Sequence, residues 1–178
     1  MSKRILIAAF AAAMAVVVAS AQEPQMPKPG PEHKAMGVFA GKWNFEGKVN
    51  EGPMGPGGPV TFTENCESYG DFAVVCRSEG KGPMGPTKAT SIMSYDSEKK
   101  AYTYYAAESG MPPFSATGKH DGKAWKWESE SKMGGQTMKT LVTVTVTSPT
   151  SYTFEMKAST DGGATWTPVM EGKSTKAT

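Results

Sequence analysis

Histidine and cysteine are scarce in this chain, with two of each in 178 residues. His33 and His120 stand far apart, each among unrelated residues, so neither a His-rich metal site nor a Ser-His-Asp or Cys-His triad can be assembled. His120 has no pocket pattern around it of the kind an axial haem ligand would need. No cofactor, no metal and no catalytic residue is therefore expected. An excess of one charge is missing too. Nineteen Lys and Arg face 17 Asp and Glu, and no basic cluster stands out. That removes the phosphate neutralisation on which nucleic-acid binding rests, and equally a polybasic membrane patch.

The one long apolar run is Ile5 to Ala19, 15 residues, short of the roughly 20 that cross a bilayer as a helix. Lys3 and Arg4 precede it and Ala19-Ser20-Ala21 follows as an A-x-A cleavage site. Residues 1–21 read as a secretory signal peptide, which places the mature chain outside the cytoplasm, periplasmic or secreted. No Cys follows to take a lipid, and no membrane span remains after cleavage. Removal of Lys3 and Arg4 leaves 17 basic against 17 acidic residues over 157 positions, a neutral chain sized for one domain. Gly and Pro are abundant, 20 and 13, but four Trp, seven Phe and six Tyr argue for a packed core rather than disorder.

Residues 22–30 form a Pro-rich extended lead-in. Pro31 suits the first turn of a helix and Glu32 its positive end. Ala35, Met36, Val38 and Phe39 supply a short apolar face, and Gly41 ends it, giving one helix of about two turns. From there the chain alternates. Trp43 and Phe45, Val60 and Phe62, Tyr102 and Tyr104, and Trp125 and Trp127 all sit two apart. Met138, Thr140, Val142, Val144 and Val146 follow, then Tyr152, Phe154 and Met156. Period two with aromatic and β-branched residues between Gly/Pro/Asp/Ser clusters signals an antiparallel all-β domain. Ten strands are predicted, near 42–50, 60–67, 73–80, 88–95, 100–107, 114–120, 123–131, 137–147, 151–158 and 164–172.

Running up and down, these strands put alternate connections at opposite ends. The end bearing 51–59, 81–87, 108–113, 132–136 and 159–163 is rich in Gly and Pro. It repeats G-P-M-G-P at Gly52–Pro56 and Gly82–Pro86, with G-M-P-P at Gly110–Pro113 and Met133 before two glycines. It would carry a ring of methionines: Met54, Met84, Met111 and Met133. The other end has short polar turns and receives the helix. A meander of this length either closes into a barrel or splits into two sheets. Closure would give a plugged floor and an adaptable rim.

A short helix leading into Phe39-Ala40-Gly41-Lys42-Trp43 resembles the F-x-G-x-W entry of the calycin superfamily, the lipocalins and fatty-acid-binding proteins. The run PEHKAMGVFAGKWNFEG from Pro31 to Gly47 resembles more closely a bacterial secreted family known as domain of unknown function 1579. That likeness continues through Tyr95-Asp96, Gly118 to Trp127, and Asp161-Gly162-Gly163 with Trp166. The resemblance implies a lipocalin-like barrel with no established activity. It also implies a late-strand cation over the G-x-W tryptophan, for which Lys173 and Lys176 are the candidates here.

Several smaller patterns have a structural and a functional reading. Cys66 and Cys76 flank the Gly70-Asp71 turn; a hairpin centred on Asp71 would put them opposite one another and allow a disulfide, two buried thiols being the alternative. Ser159-Thr160-Asp161-Gly162-Gly163-Ala164-Thr165-Trp166 matches an Asp-box, in a single copy, and is expected to be a hairpin turn. Gly172-Lys173-Ser174 is like the tail of a P-loop, but Thr167 stands at the earlier glycine position. Glu128 and Glu130 share one strand face and are expected to be solvated. The rim methionines suit loop packing, a portal, or a soft copper(I) site.

Trp43, Phe45, Phe62, Tyr104, Trp125, Trp127 and Phe154 are expected on the interior, as a packed core or as the lining of a ligand cavity. The leading expectation is an exported barrel that binds an apolar or amphipathic small molecule. A fully packed barrel whose loops contact an envelope partner is the second, and a cavity enzyme the third. A buried carboxylate with a raised pKa inside a cavity would favour the third over the first.

Overall fold

The computed structural model describes residues 28–52, 55–133 and 135–177; the expected signal peptide, residues 1–21, and the expected lead-in up to residue 27 lie outside them. The chain enters through a helix, α1 (Pro31–Ala35), continued by a 3-10 turn over Met36–Phe39. Pro31 opens the helix, and the Gly30 N–H donates to His33 Nδ1 at 3.0 Å, so one orphan amide of the first turn is satisfied. The expected two turns are thus half α and half 3-10. Gly41, at φ +121°, redirects the chain into the first strand.

Ten strands follow: β1 (Gly41–Val49), β2 (Gly58–Tyr69), β3 (Ala73–Gly82), β4 (Gly85–Asp96), β5 (Ala101–Glu108), β6 (Phe114–His120), β7 (Ala124–Met133), β8 (Gln136–Ser148), β9 (Ser151–Ser159) and β10 (Thr167–Lys176). Every pair is antiparallel and each strand bonds its sequence neighbours. β1 pairs with β10 as well, which closes the barrel. Closure leaves no edge strand to be covered. The last strand begins at Thr167 instead of the expected 164, because the turn before it is longer. Asp161 Oδ1 accepts the Thr165 amide at 3.0 Å and the Ser159 hydroxyl at 2.7 Å, and its Oδ2 accepts the Thr165 hydroxyl at 2.6 Å. These bonds hold the Asp-box as a turn and keep the Asp161 carboxyl well below the usual carboxylate range.

The helix lies at the end where β1 begins. Met36, Phe39, Trp43, Val74, Met93, Tyr102, Trp125 and Tyr152 pack there into one buried cluster with the two cysteines. Trp43 Nε1 donates to the Phe39 carbonyl at 2.7 Å, and the Tyr102 hydroxyl donates to the Glu32 carbonyl at 3.3 Å. The plug is therefore tied to β1 and β5 by polar bonds as well as by packing. Lys176 supplies the cation over Trp43, its Nζ 5.2 Å from the ring centroid, and Trp43 and Lys176 are register partners across the closing seam. No described helix is long and apolar enough to cross a membrane.

Candidate functional site

The two ends of the barrel interior differ. At the plugged end the inward registers are sealed, with Trp43 and Trp125 each 1% exposed. Toward the opposite end, Phe62, Tyr104, Phe114, Ala116, Val142, Phe154 and Met156 occupy inward registers but stay partly exposed. All seven expected interior aromatics face inward, and they divide by depth. Trp43, Trp125 and Trp127 belong to the sealed floor. Phe45 and Phe62 stack at 4.3 Å, Phe154 meets Phe45 edge-on at 5.8 Å, and Tyr104 tilts against Trp127 at 5.6 Å; these four rings form the wall.

The rings of Phe62, Phe45 and Trp127 lie close against the backbone because glycines oppose them. Phe62 pairs with Gly80 and Trp127 with Gly118, and Gly47 pairs with Gly172 beneath Phe45. A Cβ on Gly80 would collide with Phe62, one on Gly118 with the Trp127 ring, and one on Gly172 with the Phe45 ring.

Farther from the rim than Phe62, on the same face of β2, sits a polar group that sequence reasoning missed. Glu64 alternates with Val60, Phe62 and Cys66 along β2, and its carboxylate lies beside the Cys66–Cys76 disulfide. The Tyr152 hydroxyl donates to Glu64 Oε2 at 3.5 Å, a long bond. Burial pushes the Glu64 carboxyl above the ordinary glutamate value, and the Tyr152 hydrogen bond offsets this only in part. Burial and then the Glu64 charge push the Tyr152 phenol up in turn. Burial likewise raises Tyr104, which faces Ser91. Ser174 is fully buried; its hydroxyl faces the Tyr152 oxygen but makes no hydrogen bond of good geometry. The signal for Glu64 was one acid in the inward phase of an apolar alternation.

The other candidates resolve individually. Glu128 and Glu130 point outward and are exposed. Met84 is 81% exposed and Met111 42%; Met54 lies outside the described residues, as does the Met133 side chain. The two identical strings close alike, Gly52 bridging Gly55 and Gly82 pairing with Gly85, and Met84 lies over Gly55, so these rim loops meet. Cys66 and Cys76 are register partners on β2 and β3, with their sulfurs joined. Among the described residues, Glu64 and these two cysteines bring three possible metal ligands within 4.8 Å of one another, but a disulfide offers no thiolate. Two clefts of about 190 and 280 Å³ lie elsewhere. One crosses the outer face around Arg77, Lys88 and Ala107; the other lies between the helix and the β2–β3 turn, at His33, Asp71 and Val74.

A closed ten-stranded meander, plugged at one end by a short helix and loop-rimmed at the other, is a lipocalin-like barrel. The chain belongs to the DUF1579 family, described as a protein of unknown function, which matches residues 28–176. No curated protein matches it by sequence. Among solved structures it is similar to Rv2717c from M. tuberculosis, at 8% identity and a TM-score of 0.57, covering 85% of this chain and 100% of that one. It is also similar to the S-type phycobiliprotein lyase CPES from Guillardia theta, at 8% identity and a TM-score of 0.55, covering 83% and 93%. At such identities the likeness is one of fold.

Proposed function

We propose that the mature protein is an exported binding barrel that takes an apolar or amphipathic small molecule past its Met/Gly/Pro loops into the chamber above Glu64. Residues 1–21 would be removed on export, and 22–30 would lead into the folded domain. The disulfide is compatible with that compartment. The observation that carries the reading is the wall. Phe62, Tyr104, Phe114 and Phe154 remain partly exposed in inward registers, where a self-filled barrel would bury them. Phe45, beside Phe62 and Phe154, would form the lower edge of the lining, above the floor made by Trp43, Trp125 and Trp127. Met84 and Met111, with Met54 and Met133, would form the portal.

The neutral fluorophore N-phenyl-1-naphthylamine tests this directly. Saturable, blue-shifted fluorescence is expected with the wild type. Ala116→Trp, which fills the chamber opposite Tyr104, should weaken binding at least about tenfold, as loss of a ligand-sized space would, with the circular dichroism spectrum unchanged. A wild type that fails to bind the probe would move the assignment to a packed barrel acting through its loops. One observation favours a catalytic reading as the second: Glu64 is a buried carboxyl whose pKa is raised, as general acids require. It sits within reach of the Tyr152 hydroxyl.

A further inference from the structure

We propose that the polar end of the ligand is an organic ammonium, held at the chamber floor by the Glu64 carboxylate among the rings of Phe62, Trp43 and Tyr152. This rests on the chamber reading and names the chemistry that the chamber selects. Glu64 lies six residues in from the Gly58 end of β2, roughly 15 Å below the rim for strands tilted as in small barrels. Trp43 is its register partner on β1, Phe62 precedes it on the same face, and Tyr152 approaches from β9.

The distribution of charge around that point has one sign. Strand alternation turns two acids inward, Glu64 and, nearer the rim, Glu108, which accepts the Thr87 hydroxyl at 2.9 Å. Every described Lys or Arg on the ten strands sits in an outward register except Lys176, and that ammonium is engaged over Trp43 at the plugged end. A ligand carboxylate entering the chamber would meet two like charges and no counter-charge. A neutral ligand would leave Glu64 supported by a single 3.5 Å hydrogen bond, although an ionised buried carboxylate is stable only when paired.

An alkylammonium meets both needs. It neutralises Glu64, and it presents positive charge to ring faces whose quadrupole attracts it. Its remaining N–H groups require acceptors, and two are in place. Ser174 Oγ is fully buried and makes no hydrogen bond of good geometry, and the Tyr152 oxygen, which donates to Glu64, stands beside it. The half-exposed aromatics higher on the wall would take the apolar body.

Displacement of N-phenyl-1-naphthylamine by octylamine, 1-octanol and octanoate separates the possibilities, because the three share one chain and differ in the head. Octylamine is expected to compete at least about tenfold better than octanol, with octanoate weakest, as a desolvated charge pair demands. The preference should collapse in Glu64→Gln while probe binding persists. On the wild type, octylamine affinity should rise with pH as Glu64 ionises, whereas that of octanol should stay flat. The groups facing Glu64 are the Tyr152 and Tyr104 phenols, both shifted upward, and the Glu108 carboxylate lies farther up the wall. Equal or better competition by octanol or octanoate, a pH-independent octylamine affinity, or a preference that survives in Glu64→Gln would overturn the ammonium assignment and leave the chamber intact. Failure of the wild type to take up the probe would remove both.

Discussion

Glu64 shows how much a single inward register can change the meaning of a residue. Its carboxyl pKa is raised by burial, so the folded state holds the proton more tightly than the unfolded one. The stability this brings is present at low pH and is lost as pH rises through the folded value. Glu64→Gln keeps the shape and removes the charge. The variant is therefore expected to melt about 2–4 °C above the wild type near pH 8, the shift that about 1 kcal/mol produces in a chain of this size, and to lose that advantage near pH 4. Differential scanning calorimetry at both values checks it; a variant less stable at pH 8 would contradict the burial of an uncompensated charge. The position was hard to read beforehand because one acid in an apolar alternation looks the same as a strand slipped by one residue. Which face points inward is decided by β1 and β3 alongside it. The cation over Trp43 was narrowed to two lysines in the sequence, and register alone settles it on Lys176.

At the scale of the element, the strands announced themselves because alternation is local. Ser148–Ser151 and Asp121–Ala124 are short turns that the sequence marks with polar residues. The Cys66–Cys76 pairing followed from the symmetry of a hairpin about Asp71, where Gly70 and Asp71 both take positive φ. The start of β10 was less legible, since the Asp161 network that delays it spans Ser159 to Thr165 and draws on side chains. Glycines opposite aromatics could not be read from one strand at all, being a relation between two. Gly118 makes the case measurable. A methyl group there enters the Trp127 ring, and Gly118→Ala is expected to cost about 1–3 kcal/mol through forced repacking. Urea unfolding reads this out, together with a red-shifted tryptophan emission. A change under about 0.5 kcal/mol, the usual range for an inconsequential surface substitution, would mean that the ring has room to move.

For the whole molecule, closure places the start of β1 beside the end of β10. β1 starts and β10 finishes at the plugged end, and the Ala177 amide donates to the Lys42 carbonyl at 2.8 Å. A mechanical load applied through those ends would act across the seam and open it pair by pair, from Trp43 and Lys176 toward Val49 and Met170, because antiparallel hydrogen bonds lie perpendicular to the strands. Handles at Lys48 and Lys176 would instead pull along the strands and strain the whole row together. Optical-tweezer traces are expected to show a distinctly higher rupture force for the second geometry; equal forces would mean that the β1–β10 seam is not where the barrel gives way. Tethered by either end, the molecule would turn its rim outward, away from whatever surface holds it.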